Sequence, residues 1–145
     1  RVRRYLASLE TANARLAADS ARSERAEAIA AIGHWELDLK HKTFRGSPGA
    51  RTIYGLAGVM SDAATVQSIP LPRYRKPLDD ALSGLIAGTG PYDIEFEIRR
   101  PSDGSLRRIH SIAVYDPSRA TVTGVILDVT ERHAAHRSLR ERSEP

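Results

Sequence analysis

The chain has 145 residues, 41% of them hydrophobic and 28% charged, enough for one domain with a proper core and some additional helix. It contains no cysteine, which excludes disulfides, thiolate metal sites and cysteine-based covalent photochemistry or catalysis. The formal charge of +4 is carried by scattered arginines interleaved with Glu and Asp, a pattern of solvated helix faces rather than of a nucleic-acid surface.

No apolar run approaches the ~18 residues that span a bilayer, and there is no signal-peptide core, so a cytoplasmic module without membrane insertion is expected. The chain opens with Arg1 and closes in polar sequence, and reads as a piece of a longer protein. Residues 1–32 contain no Gly or Pro and are rich in Ala, Arg, Leu and Glu, all good helix formers. Val2, Leu6, Leu9, Asn13 and Leu16 fall at alternating spacings of four and three, the seam of a heptad coiled coil with Asn13 as its polar core residue. A parallel homodimer through this seam is the expectation; the alternative is one amphipathic helix packed on its own domain.

Gly33 is expected to end that helix. In His34–Lys40, Trp35, Leu37 and Leu39 alternate with Glu36 and Asp38, as in a half-buried strand. A polar turn at His41-Lys42 and a short strand from Thr43 to Gly46 complete a hairpin. Ser47-Pro48 starts a short helix, with Ser47 as N-cap and Pro48 at the first helical position, carrying Ala50, Ile53 and Tyr54 and stopping at Gly55.

Leu56–Lys76 carries the weakest signals. Ser61-Asp62 can cap a turn of helix over Ala63–Gln67, while Pro70, Pro72 and Pro77 are expected to break longer elements. Arg73–Lys76 then reads as an exposed basic loop, and Pro77 opens a helix with Leu78, Leu82, Leu85 and Ile86 on one face, ending at Gly88.

Tyr92–Arg100 alternates strictly, with Tyr92, Ile94, Phe96 and Ile98 on one face. An Asp103-Gly104 turn leads to a returning strand over Leu106–Tyr115, and a further turn at Asp116-Pro117-Ser118 leads to a last strand over Thr121–Val129. Asp128, Thr130 and Glu131 then carry the start signal of an exit helix. The order amounts to an α+β domain with a five-stranded antiparallel sheet and helices gathered on one face, flanked by a long N-terminal helix and a C-terminal exit helix.

Four stretches, in order, carry a family resemblance: W-E-L-D-L at Trp35–Leu39, S-P-G-A-R-T-I-Y-G-L at Ser47–Leu56, Y-D-I-E-F-E-I-R-R-P-S-D-G-S at Tyr92–Ser105 and G-V-I-L-D-V-T-E-R at Gly124–Arg132. Over about a hundred residues the chain resembles a PAS domain of bacterial sensor proteins. The resemblance implies a cavity between sheet and helices, and divides the chain into a helical linker at 1–32, a PAS domain at 33–130 and a signalling helix at 131–145. It also implies that the D-x-T turn, here Asp128 and Thr130 with Arg132 following, passes the signal to the exit helix. Substituting Asp128 with Ala is then expected to uncouple the output while leaving the fold largely intact. Between Met60 and Pro77 the sequence departs from the family pattern.

Candidate ligand-facing residues are Tyr92, Phe96 and Ile98 on one strand and Arg108, His110 and Ile112 on the next, where Arg and His suit a small anion. Of the family's cofactors, a flavin–cysteinyl adduct is excluded for want of Cys, and Pro77–Gly88 has no His to serve as an axial haem ligand. A non-covalent flavin near Trp35 and Tyr92 stays open, against the plainer reading of both as core aromatics. The five histidines are His34, His41, His110, His133 and His136. The i, i+3 pair His133 and His136 has no evident further ligands, so no metal site is expected. No nucleophile–base pair, paired acids or phosphate loop stands out, so the chain is read as non-catalytic. The expected function is a sensor or dimerisation module of a sensor histidine kinase or cyclic-dinucleotide enzyme, and the alternative is a ligand-free interaction scaffold.

Overall fold

The computed structural model describes residues 11, 12, 14, 18, 21, 22 and 25–135. After helical residues 25–30 (α1), the chain runs through β1 (Ile32–Asp38), β2 (Thr43–Gly46), α2 (Pro48–Tyr54), β3 (Met60–Asp62), α3 (Ala63–Gln67), α4 (Pro72–Ala87), β4 (Tyr92–Arg99), β5 (Leu106–Asp116) and β6 (Thr121–Asp128), then enters helical residues 130–135 (α5). The six strands form one antiparallel sheet in the order β3-β2-β1-β6-β5-β4. The coiled-coil positions Val2, Leu6, Leu9, Asn13 and Leu16, and His136, lie outside the described residues.

Alternation divides each strand between two faces, and strand pairing decides which of them is covered. Leu37, Phe96, Ile98, Ile109, Val122 and Ile126 are buried on one side of the sheet, against Ala50 and Ile53 of α2 and Leu78 of α4. Full burial of each such side chain is worth about 1.5–3 kcal/mol. The start of α2 is fixed locally: the Ser47 hydroxyl accepts from Ala50 N at 3.3 Å, Pro48 occupies the first turn, and Gly55 closes the helix at φ 73°.

Three expectations are corrected. The sheet has six strands rather than five, because Met60–Asp62 pairs with β2 at Thr43↔Asp62, Phe44↔Ser61 and Arg45↔Met60; three residues are too few to show a period. Gly33 lies inside β1 instead of ending the N-terminal helix, and the positive-φ residue after α1 is Ala31, at 52°.

The third correction concerns the prolines. Arg73–Lys76 belongs to α4, whose first residue is Pro72, with Pro77 inside the helix. Leu71 N donates to Glu97 O at 3.0 Å and Pro70 bridges Ile98, so the helix start is pinned to the free edge of β4. That attachment also covers an otherwise open strand edge. Packing of Tyr74, Leu78 and Leu82 then offsets an interior proline that by itself disfavours a helix by ~3 kcal/mol. Pro77→Ala restores an N–H facing the Arg73 carbonyl. It is expected to raise the unfolding free energy by roughly 1–2 kcal/mol, after the loss of proline's restraint on the unfolded chain, as read by urea titration.

Candidate functional site

A cavity of about 100 Å³ lies between the covered face of the sheet and the helices. Its apolar wall is built from Trp35 and Leu37 of β1, Phe44 of β2, Leu78 and Leu82 of α4, Phe96 of β4 and Ile126 of β6. The aromatics brace one another, Trp35 lying 5.4 Å from Phe44 and 6.3 Å edge-on from Tyr92 between ring centroids.

Polar groups are few. Tyr54, Tyr92 and the buried Ser111 place hydroxyls in the lining. Burial pushes the Tyr54 phenol far above its ordinary range, with the neighbouring Tyr92 adding to the effect. Burial also raises Tyr92, partly countered by a hydrogen bond with Ser111 and reinforced by the Asp79 charge. Arg45, Arg51 and Arg75 bring guanidinium groups to the same lining, beside Gln67 and Asp79.

The six candidate ligand-facing residues separate. Tyr92 and Phe96 line the cavity, whereas Ile98 is fully buried in the core and does not. Arg108, His110 and Ile112 stand on the opposite face of β5, because Ile109, Ser111 and Ala113 take the inward parity. There Arg108 donates to Glu95 at 3.3 Å, to Glu97 at 3.4 Å and to Tyr74 Oη at 3.2 Å, while His110 lies 2.6 Å from Asp93. The Arg108 charge is thus met by β4 carboxylates on the outer face, and His110 sits against Asp93 there, rather than either side chain turning to a ligand. Ile112 and Val114, at 38% and 66% exposed, made that face look inward-facing in sequence. Sequence reasoning missed Tyr54, Ser111 and the three cavity arginines; the inward parity of Ile109 and Ala113 was the available signal for Ser111.

The D-x-T turn is a network. Asp128 Oδ2 accepts from Arg107 Nε at 2.8 Å and lies 3.5 Å from Arg100 Nη2. Its Oδ1 accepts from Thr130 N at 3.1 Å and from the Thr130 hydroxyl at 2.6 Å. Thr130 Oγ1 in turn accepts from Arg108 N at 2.7 Å. Arg100 also donates to the Ile53 carbonyl at 3.0 Å and to Asp103 at 3.3 Å, tying α2, the β4–β5 turn and the exit strand together. Arg132, by contrast, is exposed on α5. The roles of Arg100 and Arg107 were invisible in sequence, since nothing in a strand pattern says which arginine meets a carboxylate on another strand.

Burial alone pushes the Asp128 carboxyl up, but hydrogen bonds from Arg107 and Thr130 outweigh it, leaving it below its ordinary value of 3.8. A carboxyl lowered in the folded state stabilises fully above its unfolded pKa and loses that contribution as pH falls through the folded value. Unfolding free energy should therefore fall as pH drops below about 4. Asp38, Asp103 and Asp116 are lowered too, by hydrogen bonds from His41, Ser105 and Ser118, so the difference between the native chain and Asp128→Asn isolates the Asp128 share.

At the other end, Glu27 of α1 accepts from the Ser47 hydroxyl at 2.8 Å and lies 2.8 Å from His34 Nδ1. Both flanking helices are thus joined to α2, α1 through Ser47 and α5 through Arg100 and Asp128. Among the described residues, no helix is long and apolar enough to cross a membrane, and no group of three or more His, Cys, Asp or Glu is placed to hold a metal.

No protein-family model matches the chain, and no curated protein matches it. Solved structures do. A sensory box histidine kinase/response regulator from Burkholderia thailandensis is 25% identical, with a TM-score of 0.66, over 85% of this chain and 95% of that one. A PAS domain of a protein from Colwellia psychrerythraea is 18% identical, with a TM-score of 0.56, over 75% of this chain and 97% of the other. The fold is that of PAS domains. The N-terminal domain of a diguanylate cyclase with a PAS/PAC sensor from Marinobacter aquaeolei shares that PAS fold at 14% identity and a TM-score of 0.58, over 70% of this chain and 98% of that one. In all three the matched stretch is nearly the whole of the solved chain. Here the PAS fold sets the cavity beneath α2 and α4, and the D-x-T turn at the end of β6.

Proposed function

We propose that this chain is the sensory module of a cytoplasmic signalling protein, a sensor histidine kinase or a cyclic-dinucleotide enzyme, and that it contributes no catalysis itself. The observation that carries the reading is Arg100: it joins the last turn of the cavity-lining helix α2, through the Ile53 carbonyl, to the exit strand at Asp128. The 25% likeness to a sensory box histidine kinase supports the first of the two parents. The domain runs from β1, which opens at Ile32, to residue 130, with a linker on either side. A ligand in the cavity shifts α2 against β4 and β6, Arg100 and Asp128 transmit the shift, and Thr130 sets the angle of α5. In a homodimer joined through Val2, Leu6, Leu9, Asn13 and Leu16, that angle biases a two-state output.

Native mass spectrometry of the purified chain tests this. A dimer carrying a stoichiometric extra mass, or gaining one on ligand addition, is the expected result. A monomer that takes up no small molecule overturns both the dimer and the sensory role.

A further inference from the structure

Among the described residues, seven arginines surround the cavity and the exit network, and they fall into two groups. Arg73, Arg100, Arg107 and Arg108 each hold a carboxylate of this chain within 3.5 Å. The three that line the cavity do not. Arg45 donates only to the Met60 sulfur, at 3.7 Å. Arg75 donates to the carbonyls of Pro70 and Ser68, at 3.2 and 3.0 Å. Among the described residues, the buried Nε of Arg51 has no hydrogen-bond partner.

A buried guanidinium N–H left unpaired costs about 1–3 kcal/mol, more for a charged group, and such a group is expected to have a partner in the functional state. Arg51 and Tyr54 stand at i, i+3 on α2, so their side chains share one helix face beside the cavity. A guanidinium and a phenol O–H so placed form a donor pair that suits a planar carboxylate. The rest of the wall is aromatic and aliphatic. The one acid in the lining, Asp79, bears on Tyr92 at the β4 wall and opposes a second negative charge there. A cavity of about 100 Å³ is comparable with the ~150 Å³ that holds one benzene ring.

Resting on the sensory reading above, we infer that the cavity binds a small monocarboxylate with a compact apolar body, the carboxylate on Arg51 and Tyr54 and the body among Trp35, Phe44 and Phe96. Arg75 and Arg45 add positive potential without making the principal contact. A neutral amide of the same shape leaves the Arg51 charge uncompensated and binds more weakly.

Trp35 is the single tryptophan and lines the cavity, so its fluorescence reports occupancy directly. The purified chain is titrated at constant ionic strength with benzoate, benzamide and toluene, with calorimetry alongside. Benzoate is expected to bind saturably and at least tenfold more tightly than benzamide. Arg51→Met should abolish that preference while leaving benzamide affinity unchanged, and Tyr54→Phe, which keeps the ring, should weaken benzoate a few-fold. Equal affinity for benzoate and benzamide, or a benzoate preference that survives both substitutions, overturns the inference. Binding of toluene without benzoate overturns it too, yet leaves a ligand-binding sensor standing. Binding of none of the three, with no adventitious mass in native spectrometry, removes both.

Discussion

Asp128→Ala is expected to lower the free energy of unfolding by about 3 kcal/mol. The carboxylate is only 5% exposed and is shared by Arg107, Arg100 and both the amide and hydroxyl of Thr130. Its removal leaves Arg107, 25% exposed, without its counter-charge, and Arg100, 19% exposed, with only the half-exposed Asp103 at 3.3 Å. Breaking a buried ion pair from one side costs roughly 3–5 kcal/mol, and the residual exposure of the arginines places this case at the low end. The sequence alone led to the expectation that this substitution uncouples the output and leaves the fold largely intact; the contacts of Asp128 add an expected loss of stability to it. Asp128→Asn keeps the size of the side chain and an acceptor for Thr130 and should lose less. Urea titration of the three chains at neutral pH decides it. A loss below about 1 kcal/mol for Ala means that the arginines find water as readily as Asp128.

Gly33→Ala should cost about 3 kcal/mol or more, at the upper end of what overpacking a core site does. The usual sign is the reverse, since replacing Gly by Ala inside a strand typically gains ~0.5–1 kcal/mol by restricting the unfolded chain. Gly33 is in β1, opposite Ile126 of β6, and takes no positive φ that would call for glycine. The reason for glycine is contact: a Cβ would come within 2.8 Å of the Ala50 Cβ, and closer still to that residue's backbone N and Cα. A backbone at the first turn of a capped helix cannot step aside as a flexible side chain does. Relief would move α2, and with it Arg51, Tyr54 and the Ile53 carbonyl that Arg100 holds. Gly33→Ala should thus also weaken ligand-induced changes in Trp35 fluorescence. A stabilised Gly33→Ala chain would show that α2 can shift freely on β1.

The covered side of β4 was legible because one period of two runs unbroken through Tyr92, Ile94, Phe96 and Ile98, and its residues are in the core. The Ser47-Pro48 start and Gly55 stop of α2 were legible because both are local chemistry, a hydroxyl acceptor and a left-handed glycine. On β5 the same period gave the wrong face. Arg108, His110, Ile112 and Val114 alternate as regularly as Ile109, Ser111 and Ala113, and only pairing with β4 and β6 tells which set meets the helices.

What the sequence determined by itself was therefore short in range: strand periods, caps, turns, the absence of thiol chemistry, and the D-x-T start of the exit helix. Tertiary structure decided the rest, because each of those features joins residues far apart in the chain. Leu71 meets Glu97 and so allows α4 to begin at Pro72; Arg100 meets Ile53 and Asp128; Gly33 meets Ala50. Whether an arginine is paired with a carboxylate, as Arg107 is, or left facing a cavity, as Arg51 is, depends on which surfaces the fold closes, and no local pattern encodes it.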